Sequence, residues 1–303
     1  MRKFLKRTAI VFIAVICLLG VMDWRVSNRL KNSPYREFAA WHDLMQGDIS
    51  SDVVILGSSR AWVHYSPAII DSILNCDSYN LGIDGSCINR QITKYRLFRL
   101  YNKKPELIIL NLDYSSFEYT YGYESYQYFP YFYDKNVRKI IFPQESFSLA
   151  EKYIPYYRYF KLGLNQLDRD PRRLHKGYHG QEQTWDGSKL NKMQPYDVGF
   201  DDRTVDAFED FVQQTQKDSI PIIMVFSPIY YKARELTNNK NQFDEFLAGL
   251  GRKHNIPILR YDDDPICLDT TYFYNATHLN KLGSELFSRK VATDIRDYLH
   301  LDD

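Results

Sequence analysis

Short apolar runs alternate with amphipathic segments between residues 52 and 299, and this alternation predicts an α/β fold. The predicted strands cover residues 52–56, 78–81, 107–112, 220–226 and 256–261. One predicted helix begins at Ser66-Pro67, and the others cover residues 88–101, 202–217, 242–254 and 282–299. Strands that are apolar throughout and alternate with helices indicate a parallel sheet covered by helices on both faces.

In such a sheet the functional crevice lies at the carboxyl ends of the strands. The sequence places polar or glycine-containing loops at four such positions, which are residues 57–59, 82–85, 113–116 and 275–280. We therefore expect the chemistry of the protein in these loops.

The N-terminus carries a basic segment followed by an apolar run. Four cations lie within residues 2–7, apolar residues 8–22 follow, and Asp23 ends the run. This run has the length of a signal-peptide core, but the span from Phe4 to Trp24 can cross a bilayer if the flanking cations snorkel. Because no small-x-small cleavage site follows, we favour an uncleaved signal anchor over residues 1–24, with a cleaved signal peptide as the alternative. In either case the positive-inside rule places residues 25–303 outside the cytoplasm, and an anchored chain has its N-terminus inside.

Residues 114–199 interrupt the alternation of strands and helices. Eight tyrosines lie between Tyr114 and Tyr133, and four more lie between Tyr153 and Tyr159. Tyrosine supplies rigid apolar area together with a hydroxyl, so this insertion can form a cap that contacts a sugar or an acyl chain. The alternative is an aromatic core that rests on the main sheet, and the pattern leaves both open.

The composition excludes several classes of protein. Lys and Arg number 39 against 38 Asp and Glu, a net charge of +1. This balance lacks the basic signature of a nucleic-acid-binding protein. Four cysteines are too few for a disulfide scaffold or a cysteine-based zinc cluster. On the exported side Cys76 and Cys87 are the closest pair, with Cys267 left over, and the sequence does not decide between a disulfide and free thiols.

Two residues in the loops stand out as a nucleophile and its base. A nucleophilic serine needs a base within hydrogen-bond reach, a group that orients the base, and donors for the oxyanion. Ser59 follows the first predicted strand, where Gly57 permits a tight turn. His278 is the one histidine of seven in a short polar loop directly before the terminal helix. Each also has an ordinary interpretation, as a turn serine and a surface histidine, but their shared position at the carboxyl ends predicts that they meet.

The order of three sequence blocks resembles the SGNH (GDSL-like) hydrolase superfamily. Gly57-Ser58-Ser59 follows the first strand, Asn-Leu-Gly-Ile-Asp-Gly at residues 80–85 follows the second, and Asn275-x-x-His278-Leu279-Asn280 precedes the last helix. Gly-Ser-Ser-Arg in place of Gly-Asp-Ser is similar to the membrane-anchored extracytoplasmic branch, which includes the teichoic-acid D-alanylation protein DltD and the alginate acetylation proteins. The resemblance covers roughly residues 52–113 and 202–298. It implies a three-layer, flavodoxin-like parallel sheet.

The resemblance also implies roles for individual residues. Ser59 would be the nucleophile and, through its backbone N–H, one oxyanion donor. Gly85 would supply a second N–H, and His278 would be the general base. The family usually offers an Asn after the third strand as a third donor, and a gapless alignment places Ser115 there, with Asn111 too early in the strand. Such enzymes use no metal and no organic cofactor.

One departure concerns the acid of the triad. The family normally has an Asp three residues before the His, and this chain has Asn275. An amide cannot stabilise the imidazolium by charge, and in serine proteases the same change costs about 10⁴ in turnover. Three alternatives stay open: a Ser–His dyad works slowly, Asp269 or Asp113 substitutes for the acid, or the site is degenerate.

These observations lead to two hypotheses of function. The first is an exported, membrane-tethered serine esterase or acyltransferase that acts on an ester-linked, acetyl-type acyl group of a cell-surface glycan or a lipid. The second is a catalytically degenerate module that binds a glycan or a membrane-embedded partner. We expect no nucleic-acid partner, and the oligomeric state has no visible signature in the sequence.

Overall fold

The structure is a computed structural model that describes residues 1–119, 125–161 and 174–299. It divides into two units. Unit 1 contains residues Met1–Met45 and Tyr121–Arg173, and unit 2 contains residues Gln46–Thr120 and Leu174–Asp303.

Unit 2 is built around a five-stranded parallel sheet. Its strands are β1 (Val53–Leu56), β2 (Ser78–Asn80), β3 (Leu107–Leu112), β4 (Ile222–Phe226) and β5 (Ile258–Arg260). They lie in the order β2-β1-β3-β4-β5, and every adjacent pair is parallel. This is the flavodoxin-like order. The predicted α/β class and flavodoxin-like sheet are therefore confirmed.

The helices of unit 2 form the outer two layers. They are α3 (Ser59–His64), α4 (Pro67–Leu74), α5 (Ile88–Tyr101), α8 (Asp202–Lys217), α9 (Tyr231–Arg234), α10 (Lys240–His254) and α11 (Lys281–Tyr298). Right-handed crossovers place the β1–β2 connection on one face of this sheet and the three later connections on the other. In agreement, α11 packs against α3 and α4, whereas α5 packs against α8.

A small hairpin precedes the last helix. Strand β6 (Phe273–Asn275) pairs antiparallel with β7 (His278–Leu279), and Asn275 lies opposite His278 in the register. The side chain of Asn280 then caps α11 by accepting a hydrogen bond from the backbone N–H of Gly283 at 3.0 Å. The sequence analysis predicted a polar loop here and missed the hairpin, because strands this short carry no periodicity.

Unit 1 begins with one long helix. It contains α1 (Arg2–Lys31), the larger part of α2 (Arg36–Gln46), α6 (Lys135–Ile140) and α7 (Leu149–Tyr153), together with 3₁₀ segments at Ser125–Tyr131 and Tyr157–Lys161. Within the described residues, α1 is the one helix that is long and apolar enough to cross a membrane. The predicted N-terminal apolar helix is therefore confirmed as a helix, and it continues eight residues beyond Asp23, where the apolar run ends.

The second half of α1 is held by a buried ion pair. Asp23, Ser27 and Leu30 are buried along one face of the helix. Asp23 accepts hydrogen bonds from both terminal nitrogens of the Arg158 guanidinium, and the Nη2–Oδ1 distance is 2.8 Å. The hydroxyl oxygens of Ser27 and Tyr159 lie 2.7 Å apart. These contacts join α1 to the 3₁₀ segment Tyr157–Lys161.

Part of the tyrosine-rich segment forms an aromatic core within unit 1. Phe129, Phe132 and Tyr159 are buried, and the Arg158 guanidinium lies over the rings of Phe132 and Tyr159 at 4.8 and 4.6 Å. Other tyrosines of this segment are exposed. The boundaries of the predicted insertion, 114–199, stay a prediction, and its residues 120–124 and 162–173 lie outside the described residues.

The four cysteines are free thiols. Cys87 and Cys267 are buried, Cys76 is half-buried, and Cys17 is exposed on α1. The possible Cys76–Cys87 disulfide is not formed in the structure.

Candidate active site

The turn after β1 brings Ser59 to the start of α3. Gly57 has φ of +154°, and a Cβ at this position would lie 2.5 Å from the Cβ of Ala61 and 2.9 Å from that of Asn111. Only glycine allows this close passage of the chain. Ser58 caps α3 by accepting a hydrogen bond from the backbone N–H of Arg60. Ser59 is then the first helical residue and is half-buried at the carboxyl end of the strand.

The structure brings Ser59 and His278 into hydrogen-bond contact. Their Oγ and Nε2 atoms lie 2.7 Å apart, although the residues are 219 positions apart in the chain. A separation of this size is within the range for a nucleophile and its general base.

His64, at the other end of α3, supports this contact. Its Nε2 accepts a hydrogen bond from the backbone N–H of Leu279 at 2.9 Å, which holds the residue next to His278. Its Nδ1–H donates to the Ser227 hydroxyl at 3.0 Å. Burial lowers the pKa of His64 well below its usual value, so the ring is neutral and keeps Nε2 as an acceptor. The sequence analysis missed this residue.

Asn275 orients the ring of His278. Its Oδ1 lies 2.9 Å from Nδ1 of His278 and also accepts a hydrogen bond from the backbone N–H of Thr277 at 3.0 Å. Because a backbone N–H can only donate, it requires the amide oxygen rather than the amide nitrogen on this side. The amide oxygen in turn requires a proton on Nδ1. That tautomer leaves Nε2 free to accept the Ser59 proton.

The hydroxyl of Thr277 completes this group. It lies 2.9 Å from Nδ1 of His278 and 3.2 Å from Oδ1 of Asn275. It can donate to the amide oxygen while it accepts from the imidazole N–H. Both groups that face Nδ1 are therefore neutral acceptors.

No carboxylate among the described residues forms a hydrogen bond or ion pair with His278. Burial lowers the pKa of His278 to about 3, and the nearby charge of Arg60 contributes in the same direction. His278 is thus a neutral base over the physiological pH range. A protonated His278 would have no negative partner among the residues that the structure describes.

The two carboxylates that we considered as substitute acids are engaged elsewhere. Asp269 caps the 3₁₀ turn Thr270–Tyr272 by accepting from the backbone N–H of Thr271 at 2.9 Å. Asp113 accepts from the hydroxyls of Ser58, Ser115 and Ser116. Asp113 therefore holds the turn that carries the candidate nucleophile.

One cavity collects four of the five predicted site residues, all except Asn275. It has a volume of about 310 Å³, and Ser59, Gly85, Ser115 and His278 all line it. Gly85 has φ of +59°, in the left-handed region that glycine favours. Within the described residues, the backbone N–H groups of Ser59 and Gly85 donate to no protein atom. Two of the three predicted oxyanion donors are thus free in one cavity.

Ser115 differs from the other two predicted donors. Its hydroxyl and its backbone N–H both donate to Oδ1 of Asp113, at 2.9 and 3.1 Å. Both of its donors are occupied, although it lines the cavity. Asn111 is fully buried in β3 and does not line the cavity, and its amide nitrogen donates to the carbonyl oxygen of Leu112, so it too brings no donor to the cavity.

Arg60 is a cavity residue that the sequence analysis missed. It is 4% exposed, its Nη2 donates to the carbonyl oxygens of Ser227 and Pro228, and its guanidinium lies 4.8 Å from the centre of the Phe226 ring. No acidic side chain of the described residues pairs with it. The signal was a charged residue placed between the candidate nucleophile and the apolar residues 61–63.

In the part of the chain that the structure describes, no group of three or more His, Cys, Asp and Glu side chains is arranged to hold a metal ion.

Comparison with known proteins yields only distant structural similarity. No family model and no curated protein matches the chain. The solved structures that it resembles include a protein described as a lipolytic protein of the G-D-S-L family from Desulfitobacterium hafniense, with 11% identity, coverage of 79% of this chain and 97% of the other, and a TM-score of 0.42. A protein described as an acylhydrolase from Bacteroides fragilis has 14% identity, coverage of 80% and 86%, and a TM-score of 0.40. An acetyl xylan esterase has 12% identity, coverage of 81% and 98%, and a TM-score of 0.42. Similarity at this distance assigns neither a family nor an activity to the chain.

Proposed function

We propose that this chain is an exported serine esterase or acyltransferase of the SGNH type, from the membrane-anchored branch that its Gly-Ser-Ser-Arg block resembles. The observation that carries the proposal is the hydrogen-bonded series Ser59–His278–Asn275 beside two free backbone N–H groups in one cavity. A nucleophile, a base in the correct tautomer, an orienting group and oxyanion donors are the parts that acyl transfer requires.

The chemistry follows from these positions. Ser59 Oγ attacks the carbonyl carbon of the ester while Nε2 of His278 takes its proton. The backbone N–H groups of Ser59 and Gly85 stabilise the oxyanion. The tetrahedral intermediate then expels the alcohol, which leaves with the proton from His278, and an acyl-Ser59 enzyme remains. Water or a second hydroxyl group attacks this ester in the reverse sequence and regenerates the free serine.

Asn275 supports this cycle by orientation alone. It holds the proton on Nδ1, as the aspartate of a triad does, but it adds no negative charge to the imidazolium. We therefore propose that Ser59 and His278 catalyse the reaction slowly, and that the amide of Asn275 only orients the imidazole ring. The step that suffers is proton transfer to His278, because its pKa is about 3.

The size and the predicted compartment of the site suggest the substrate. A cavity of about 310 Å³ is at the small end of ligand sites, which favours a short, acetyl-type acyl group. Export would expose the site to ester-linked acyl groups of cell-surface glycans, and we propose such a glycan as the substrate.

We also propose that α1 is an uncleaved anchor with the N-terminus inside. Residues 2–31 form one continuous helix, so no extended segment for a signal peptidase follows the apolar run. The buried Asp23–Arg158 pair attaches this helix to the rest of unit 1 immediately after the run. Cleavage would cut the helix beside these contacts. The test measures the mass of the chain in the carbonate-resistant membrane fraction of expressing cells. The full-length mass supports the anchor. The mass of a chain that lacks about 20 N-terminal residues would contradict it.

The catalytic proposal is tested with the full chain in nanodiscs and p-nitrophenyl acetate as the substrate. We expect Ser59→Ala and His278→Ala each to lower kcat/KM by at least about 100-fold, because each removes a reacting group. Ser72→Ala is the matched control, since Ser72 is exposed on α4 and bonds only to a carbonyl of its own helix. A covalent acetyl group on Ser59, found by mass spectrometry, identifies the intermediate. Full activity of Ser59→Ala would refute the proposal.

The degenerate binding module remains the second candidate, and a specific observation favours it. The base has no acidic partner among the described residues and a pKa of about 3. If the wild type is inert and Asn275→Asp is active, the fold retains the site and this chain has lost the reaction. If neither is active, binding of acetylated glycan fragments to the wild type decides the matter.

A further inference from the structure

Unit 1 exposes a group of large apolar side chains that do not join its core. Leu149, Tyr153 and Phe160 are 74%, 70% and 70% exposed, and Ile154 and Tyr157 are also exposed. They lie within twelve consecutive residues, on α7 and the 3₁₀ segment that follows it. Soluble surfaces seldom carry so many large apolar side chains together, and such a patch marks an interaction surface.

This patch is attached to α1 at the point where its apolar run ends. The backbone N–H of Tyr156 donates to Oδ2 of Asp23 at 2.6 Å, and Arg158 pairs with the same carboxylate. Asp23 is the first residue after the apolar run, and the next residue, Trp24, is 66% exposed. The exposed side chains of Tyr153, Tyr157 and Phe160 are therefore within a few residues of this attachment point.

We propose that residues 149–160 lie in the headgroup region of the membrane that α1 enters, so that unit 1 contacts the bilayer through a second segment. This proposal rests on the proposed anchor. Tyr and Trp are the residues that concentrate at membrane interfaces, because their rings suit the acyl boundary and their polar groups suit the headgroups. The patch combines Tyr153 and Tyr157 with apolar side chains, and the exposed Trp24 follows Asp23, the residue to which the segment is attached.

The position of the patch on unit 1 identifies the bilayer as the surface that it contacts. The apolar run of α1, which the proposed anchor places in the bilayer, ends beside Asp23, and Asp23 holds this segment, so the patch lies close to the proposed bilayer surface. A cavity of about 490 Å³ lies at the same level of α1 and is lined by Gly20, Trp24, Tyr131 and Tyr133 among others. Aromatic and proline rings supply most of its apolar surface, and Asp23, Lys31 and Asp134 add charged groups, a mixture that suits the boundary between headgroups and acyl chains.

The test measures the depth of single spin labels in the full chain. The background variant is Cys17→Ser/Cys76→Ser, which leaves the two buried thiols. Labels are placed by Tyr153→Cys and Phe160→Cys, and by Tyr298→Cys as the matched control, since Tyr298 is an exposed tyrosine of unit 2. A fourth label, from Val15→Cys, reports whether α1 itself is in the bilayer. The chain is reconstituted in phosphatidylcholine–phosphatidylglycerol vesicles, and collision rates with oxygen and with a water-soluble nickel chelate are compared.

We expect oxygen collisions to exceed nickel collisions at residues 153 and 160 by several-fold, and nickel to dominate at residue 298. Water-like labels at 153 and 160, together with a lipid-like label at residue 15, would overturn the membrane contact and leave the anchor intact. A water-like label at residue 15 would overturn both. Labels at 153 and 160 that neither reagent reaches would indicate a protein partner or a second copy, and would also overturn the proposal.

Discussion

Asn275→Asp tests the proposed chemistry most directly, because it adds one charge to the group that orients the base. The amide oxygen of Asn275 lies 2.9 Å from Nδ1 of His278, and the backbone N–H of Thr277 holds it there. A carboxylate of nearly the same shape takes this place without a new cavity or clash. The substitution therefore changes the charge and preserves both the geometry and the tautomer.

The magnitude follows from Coulomb's law. Two unit charges about 4 Å apart at an effective dielectric constant of about 20 interact by about 4 kcal/mol, or about 3 pKa units. His278 is half-buried, so solvent screening reduces this to about half, and we expect its pKa to rise by about 1.5 to 3 units. The starting pKa is about 3. A general base acts when it is unprotonated, so activity falls as pH drops through this pKa. The acid limb of kcat/KM should therefore move to higher pH, to about pH 4.5 to 6.

The rate at pH 8 should rise as well. Both proteins then have a neutral base, and the new carboxylate stabilises the imidazolium that develops in the transition state. If about half of the charge has formed there, the gain is about 1 to 2 kcal/mol, or about 5- to 30-fold in kcat. This is smaller than the 10⁴-fold effect in serine proteases, where the amide also selects the wrong tautomer. Here the amide already selects the correct one.

The assay is hydrolysis of p-nitrophenyl acetate between pH 3.5 and 8, read at the isosbestic wavelength of p-nitrophenol. Asn241→Asp is the control, because Asn241 is an exposed asparagine on α10 and the substitution adds the same charge elsewhere. If Asn275→Asp changes neither the acid limb of kcat/KM nor kcat, the proposed role of Asn275 is refuted. The same displacement in the control would show a general effect of net charge instead.

The other predictions concern single contacts. Arg60→Met should raise the pKa of His278 and move the acid limb of kcat/KM to higher pH. The shift should be smaller than for Asn275→Asp, since burial, the larger cause of the low pKa, remains, and the same pH profile checks it. Ser115→Ala should lower kcat/KM by less than about 10-fold, because both donors of Ser115 are already bonded to Asp113. Loss of a true oxyanion donor costs about 10² to 10³ in kcat, and steady-state kinetics distinguishes the two results. Gly57→Ala should destabilise the fold by more than about 2 kcal/mol in thermal unfolding, since its Cβ would clash with two side chains. Arg158→Met should cost about 3 to 5 kcal/mol by leaving Asp23 buried without its partner, and the double variant with Asp23→Asn should recover part of this loss in the same unfolding experiment.

The sequence alone predicts most of the sheet. Runs such as 107–112, 202–217 and 88–101 match the observed β3, α8 and α5 at both ends. These segments are long or uniformly apolar, and their periodicity is a local property that needs no knowledge of the rest of the chain. The short helix α3, the β6–β7 hairpin and the continuation of α1 beyond Asp23 were missed, because packing against distant segments stabilises them rather than their own pattern.

The sequence alone also determines which groups are available for chemistry. Ser59 and His278 follow from the turns and loops at the ends of the predicted elements, and the resemblance to the SGNH superfamily adds Gly85 and Asn275. What the tertiary structure decides is how these groups are paired. The Thr277 N–H selects the amide oxygen, and hence the tautomer of His278, and Asp113 occupies both donors of Ser115. Arg60 is adjacent to Ser59 in the chain, yet its burial without an acidic partner depends on β4 and the loop that follows it. A local sequence pattern describes only a few neighbouring residues. Hydrogen-bond partners and dielectric surroundings come from segments that meet only when the whole chain is folded. Ser59 and His278, which are 219 positions apart, meet in this way.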